Sequence, residues 1–179
     1  MGQDTAGQAG RALKLLNSQE LRETPTTGPS PRHTTASTPR SPLNVDLVDH
    51  LTRTVGEVAA HARAVAPHAG PLPERVEDLY DWYIEHTGDA GEADRRYRDI
   101  LIERHRLEHV MRLGYYEEVR KHPCPECGCW GLMWDPAGNR ALCSNRRCRT
   151  PDGMTRSWTL ARLAAQKIQR TEIWRRNAT

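Results

Sequence analysis

Two pairs of cysteines, separated by fifteen residues, constrain the carboxyl-terminal third of this chain more than any other feature. The first pair is Cys124 and Cys127, and the second pair is Cys143 and Cys148. Two thiolate pairs at this separation match the signature of a four-cysteine zinc site, although the second pair has four intervening residues where two are commoner. Gly128 gives the first loop the backbone freedom that a tight turn around a metal requires. The sequence therefore predicts a structural Zn²⁺ ion held by these four cysteines.

A β-hairpin is predicted between the two cysteine pairs. Residues 132–134 and 140–142 are short strand candidates, and the segment Asp-Pro-Ala-Gly-Asn at 135–139 has strong turn chemistry. Some forty residues cannot bury a sufficient core, whereas zinc binding supplies on the order of 10 kcal/mol or more of folding free energy. We therefore expect the metal to hold this module together.

The order of knuckle, hairpin and knuckle over residues 122–158 resembles the zinc-ribbon family. The resemblance implies a first knuckle formed by Cys124 and Cys127 and a second formed by Cys143 and Cys148. It also implies a role among nucleic-acid-handling and transcription-associated proteins, that is, DNA binding or transcription regulation.

Several alternatives for this site stay open. Cys129 is close enough in sequence to compete for the same ion, and His122 could replace a sulfur. Iron or disulfides could use the same cysteines, although five is an odd number and no export signal is present. We expect zinc in a reducing, cytoplasmic setting. Four sulfurs leave no coordination place for water, so no catalytic residue is assigned and no enzyme is predicted.

The charge of the chain is unevenly distributed. Residues 42–120 contain 10 basic and 16 acidic residues, whereas residues 121–179 contain 11 basic and 4 acidic residues. The basic end favours an anionic partner. No apolar run approaches the roughly 20 residues that span a bilayer, so no membrane association is expected.

Helical periodicity predicts a mainly α protein. We expect a small helical bundle over residues 42–120, a β-hairpin zinc ribbon over 121–158, and a basic helix within 159–179. Residues 1–41 are rich in Thr, Ser, Pro and Gly and are expected to be a disordered tail, with one or two helical turns at 11–16.

Three amphipathic helices are predicted within the bundle. The first begins near Ser41-Pro42 and extends to Val65, the second extends from Pro73 to Gly88, and the third ends near Gly114. The stripe from Leu51 to Val65 approximates a heptad seam, which leaves a homodimer or a protein partner open.

Nucleic acid is the predicted partner of the basic end, because clustered guanidinium groups neutralise phosphates and release condensed counterions. The tryptophans could stack on unpaired bases or cover the metal site. The predicted nucleic-acid-binding residues are Arg140, Arg146, Arg147, Arg149, Arg156, Arg162, Trp130 and Trp134.

Two other functions compete with nucleic-acid binding. In a protein-protein adaptor, the zinc would be purely structural and the acidic helical domain would bind a partner. In an enzyme, histidines along the helices would act, and His105 and His109, four residues apart, could clamp a metal. Exposed polar positions explain these histidines at least as well, and no His-Glu-x-x-His pattern occurs.

Overall fold

The computed structural model describes residues 2–22 and 43–178, and the protein is mainly helical, as predicted. Its α-helices are α1 (Gly2–Leu16), α2 (Gln19–Arg22), α3 (Val45–Val65), α4 (Leu79–His86), α5 (Glu92–Arg112) and α6 (Leu160–Asn177), with 3-10 helices at Val76–Asp78 and Tyr116–Lys121. The antiparallel sheet has the order β1 (Leu132–Asp135), β2 (Arg140–Cys143) and β3 (Ser157–Trp158). Within the described ranges, no helix is long and apolar enough to cross a bilayer.

The three helices predicted for the bundle are present as α3, α4 and α5, but α4 begins at Leu79, after the 3-10 helix, and not at Pro73 as predicted. α3 begins after Asn44, whose side chain accepts a hydrogen bond from the Leu47 N–H at 3.1 Å. The start predicted at 41–42 lies outside the described residues. α5 ends at Arg112, just before Gly114 at φ +86°.

The amino terminus corrects the expectation of a disordered tail over residues 1–41. This part of the chain forms the helices α1 and α2, and α1 packs against α5, α4 and the first 3-10 helix. The close approach of α1 to the first 3-10 helix depends on Gly10, where a Cβ would overlap the carbonyl oxygen of Glu77. Tertiary packing thus stabilises a helix that would be marginal alone. Residues 23–41 lie outside the described part of the chain. The buried side chains of α1 are Ala6, Ala9, Ala12, Leu13 and Leu16.

Two buried clusters hold the molecule together. The first lies among α1, α3, α4 and α5. The second joins Leu107 and Met111 of α5 to Leu132 of the hairpin and Leu163 of α6. The second core therefore spans all three segments 42–120, 121–158 and 159–179, whose division into domains stays a prediction.

A buried charge network links α5 to α6. The Glu103 side chain is 0% exposed, and it accepts hydrogen bonds from Arg106 at 2.8 and 3.1 Å and from Lys167 at 2.8 Å. Arg106 also donates to Glu118 at 3.0 Å. Burial alone would raise the pKa of Glu103. The hydrogen bonds and positive charges of Arg106 and Lys167 lower this pKa by a larger amount, so that it lies below its usual value. The carboxylate is ionised and fully partnered.

His50 of α3 and His109 of α5 are buried and not exposed as predicted. A chain of hydrogen bonds fixes their rings. Arg53 can only donate, so the Nδ1 atom of His50 accepts its hydrogen bond at 3.0 Å. The Nε2–H of His50 then donates to the Nδ1 of His109 at 2.9 Å. The Nε2–H of His109 donates in turn to the Tyr80 hydroxyl at 2.8 Å. Both imidazoles are consequently neutral.

These buried histidines predict that the protein loses stability in mild acid. Burial, then Arg112 and Arg53, lower the pKa of His50 to about 3, and burial lowers the pKa of His109 well below its usual value. The unfolded chain binds these protons below about pH 6.5 while the folded chain does not, so stability falls as pH decreases from there. We expect a loss of about 2 kcal/mol between pH 7 and 5.5, measured by urea unfolding.

NMR of the two imidazoles provides the check. Their ring resonances should remain those of neutral histidine down to pH 5 in the folded protein. Protonation of either ring near pH 6, without unfolding, would contradict the expected origin of the pH dependence.

Candidate metal centre

The four predicted cysteine ligands come together in the ribbon. Their sulfurs all lie within 4.8 Å of one another. The Sγ atoms of Cys124 and Cys148 are 3.8 Å apart, and those of Cys127 and Cys143 are 3.7 Å apart. Tetrahedral zinc with Zn–S bonds of about 2.3 Å requires sulfurs separated by about 3.8 Å. The sulfur positions therefore fit one tetrahedral metal ion.

Backbone hydrogen bonds shape the first knuckle. The Gly128 N–H donates to the Cys124 carbonyl at 2.9 Å, and the Cys124 N–H donates to the Cys129 carbonyl at 2.9 Å. Gly128 has φ +69°, which a side chain would strain. This closed loop places the sulfurs of Cys124 and Cys127 on the same side.

The hairpin and β3 place the second pair. Cys143 is the last residue of β2 and lies opposite Leu132 of β1. Its N–H donates to the Arg156 carbonyl at 3.0 Å, and the Arg156 N–H donates to the Cys148 carbonyl at 3.3 Å. The residues that lead into β3 thus hold Cys143 and Cys148 together. β3 itself was not predicted.

The thiols differ in their readiness to ionise. Hydrogen bonds from the backbone and thiol of Cys129 lower the pKa of exposed Cys127 to about 6. Burial raises the pKa of Cys148 to about 11 and raises that of Cys143 as well. A divalent cation would draw the remaining protons from these sulfurs, because thiolates are the binding form. A site made only of sulfur ligands favours zinc over magnesium, calcium or manganese, which bind oxygen ligands instead.

Two further candidates flank the cluster. The Sγ of Cys129 is 3.3 Å from that of Cys127 and 3.5 Å from that of Cys143, so this half-buried thiol touches two members of the set. His122 is buried, and its Nε2 lies 3.9 Å from a carboxylate oxygen of Glu103. His122 therefore borders the buried charge network.

Among the described residues, the four cysteines are the only cluster of His, Cys, Asp or Glu that could hold a metal. His105 is hydrogen-bonded to Glu57 at 2.8 Å, whereas His109 bonds to His50 and Tyr80. The predicted alternative of an ion clamped by His105 and His109 therefore finds no suitable set of ligands.

The predicted nucleic-acid-binding residues occupy different environments. Arg156 is half-buried and forms an ion pair with Glu126 at 3.2 Å. Trp134 is half-buried against the ribbon core, whereas Trp130 is 64% exposed. Exposed positions are occupied by Arg140, Arg146, Arg147, Arg149 and Arg162.

A cleft beside Trp130 contains residues that were not predicted. Trp174 is 71% exposed and lines the same cleft, which has a volume of about 210 Å³. The Arg170 guanidinium lies 5.6 Å from the centre of the Trp130 ring. Arg170 and Trp174 are one helical turn apart, a spacing that could have identified them as neighbours on α6.

No protein-family model, curated protein or solved structure matches the chain. The cysteine cluster is consistent with the resemblance of residues 122–158 to zinc ribbons. That resemblance rests on the spacing of the cysteines and on the hairpin between the two pairs.

Proposed function

We propose that this is a non-enzymatic zinc-ribbon protein that binds DNA or RNA through its basic carboxyl-terminal region. One observation carries the proposal: of the arginines predicted to bind nucleic acid, four are exposed and form neither an ion pair nor a side-chain hydrogen bond among the described residues. Their guanidinium groups remain available to phosphates. They are Arg140, Arg146, Arg147 and Arg162.

The position of these charges supports nucleic-acid binding. Arg146 and Arg147 lie between Cys143 and Cys148, so the metal cage would fix them in space. A preorganised array loses less side-chain and loop entropy when it binds. The exposed rings of Trp130 and Trp174 would stack on unpaired bases, as aromatic residues do in single-strand binders.

The ion in this proposal is zinc, and its role is structural. Four cysteine sulfurs complete a tetrahedral coordination shell, whereas catalytic zinc keeps one position for water. Binding of DNA in particular would accord with the regulatory, transcription-associated role that the zinc-ribbon resemblance implies.

An Arg146→Gln/Arg147→Gln variant should bind nucleic acid at least about tenfold more weakly at low salt, because charge-assisted contacts to two phosphates are lost. The slope of log affinity against log salt should decrease by about 1.5. Fluorescence anisotropy with labelled mixed-sequence single and double strands measures both quantities. An Arg11→Gln/Arg63→Gln variant removes two exposed arginines from the bundle and should bind like the wild type.

The same titration separates the proposal from the adaptor alternative. Failure of the wild type to bind either strand form at about 50 mM salt would contradict nucleic-acid binding. A protein partner of the acidic helical region would then be the better explanation.

A further inference from the structure

A cavity of about 560 Å³ lies between the helical bundle, the hairpin turn and the start of α6. Its volume falls within the range of about 300–1,000 Å³ that is typical of small-molecule sites. The bundle wall contains His50 and Arg53 of α3 and Arg104, Glu108 and Arg112 of α5. None of the arginines proposed to bind nucleic acid lines it. The cavity therefore requires a separate explanation.

The bundle wall of the cavity carries an excess of one positive charge once its ion pairs are counted. Arg104, Glu108 and Arg112 are four residues apart and share one face of α5. The Glu108 carboxylate pairs with Arg53 at 3.1 Å and with Arg104 at 3.5 Å. Glu57, which does not line the cavity, also pairs with Arg104. The two carboxylates thus compensate the charges of Arg53 and Arg104, whereas the charge of Arg112 remains uncompensated.

Arg112 is exposed and has no ion-pair partner among the residues described. Its charge is near enough to help lower the pKa of His50, after the larger effect of burial. The neighbouring Arg53 is held in place by its hydrogen bond to the Nδ1 of His50. One guanidinium is consequently fixed, and a second is free to meet an anion.

The opposite wall supplies donors and an aromatic surface. Thr159 caps α6 by accepting a hydrogen bond from the Arg162 N–H at 3.2 Å, which leaves the N–H groups of Leu160 and Ala161 at the start of an 18-residue helix whose dipole favours negative charge there. Trp134 and Tyr116 also line the cavity. Anion-binding groups and flat apolar surface therefore face the same space.

We propose that this cavity binds a phosphorylated small molecule of nucleotide size. Arg53, Arg112 and the start of α6 bind the phosphoryl group, and Trp134 and Tyr116 contact the organic part. Arginine suits this role because its planar fork matches the geometry of phosphate. The site is independent of the proposed nucleic-acid function, since the two use different arginines.

Isothermal titration calorimetry of the full-length, metal-containing protein tests the site, with adenosine monophosphate, pyrophosphate and adenosine as probes. The two phosphorylated probes should bind, and adenosine should not. Arg112→Gln should weaken binding by about tenfold or more. The matched control is Arg63→Gln, which removes an exposed arginine from the last turn of α3 and should leave binding unchanged.

A second variant keeps the test independent of Arg112. Ala161→Glu places a carboxylate in the first turn of α6, where it suits the helix dipole but repels an anion in the cavity. It should fold normally and bind the phosphorylated probes at least about tenfold more weakly. Unchanged binding in both variants, or no binding by the wild type at millimolar probe, would overturn the proposal.

Oligonucleotide titrations identify the source of the phosphate. The Arg112→Gln variant should bind oligonucleotides as the wild type does, and Arg146→Gln/Arg147→Gln should retain binding of adenosine monophosphate. If Arg112→Gln instead weakened only oligonucleotide binding, the cavity would be part of a nucleic-acid surface and the small-molecule site would be rejected.

Discussion

A Cys143→Ser variant is expected to lose both its metal ion and the ordered structure of residues 122–158. The hydroxyl of serine is a poor substitute for a thiolate ligand, and the ribbon would lose a metal that contributes on the order of 10 kcal/mol to its folding. Amide hydrogen exchange should show β1 and β2 unprotected in the variant. The helices α1, α3 and α4 should keep their protection, because their core contains no ribbon residue.

Cys129→Ser is the matched control. Cys129 touches two of the four sulfurs but lies outside the set that fits one tetrahedral ion. We expect this variant to keep its metal and its protected hairpin. Loss of the metal from Cys129→Ser, with retention in Cys143→Ser, would show that a different set of sulfurs binds the ion.

A Glu103→Gln variant is expected to be less stable than the wild type by about 3 kcal/mol, because removing one partner of a buried ion pair leaves the charge of Arg106 compensated only by Glu118. The change leaves Arg106, which is 5% exposed, without its bidentate carboxylate, and it weakens the contact with Lys167 of α6. Urea unfolding monitored by circular dichroism measures the difference.

The control for this prediction is Glu117→Gln, at an exposed position of the second 3-10 helix. It should change the free energy of unfolding by no more than about 0.5 kcal/mol. A loss below about 1 kcal/mol for Glu103→Gln, as found for surface ion pairs, would contradict the structural importance of the network.

The cluster of four cysteines could be predicted from the sequence because its determinants are local. The spacing of Cys124 and Cys127, directly followed by Gly128, specifies a knuckle within a few residues. The turn at 135–139 specifies the hairpin in the same way. The pairing of Asp135 with Arg140 confirms the hairpin turn.

Most of α1 was missed because its buried face is made largely of small side chains. Ala6, Ala9 and Gly10 contribute little hydrophobicity, so the periodic signal is weak. These small residues let α1 approach other helices closely. The partners in that contact are distant in sequence. Leu13 and Leu16 gave a helical signal, but only enough to predict one or two turns.

The burial of polar residues also depended on long-range packing. Nothing near Glu103 in the sequence indicates that Lys167 meets it from α6. The same holds for the histidines, since the hydrogen bond between His50 and His109 joins positions 59 residues apart. For the basic carboxyl-terminal region, the sequence indicated the charges, but only packing distinguishes the exposed ring of Trp130 from the half-buried ring of Trp134.

Native mass spectrometry of the full-length protein, combined with amide exchange after chelation, tests the central claim most directly. We predict one zinc ion per chain, and we predict that a strong chelator removes protection from β1 and β2 while α1 and α3 remain protected. A metal-free protein with a fully protected hairpin would contradict the claim that a cage of four sulfurs organises the ribbon and its arginines.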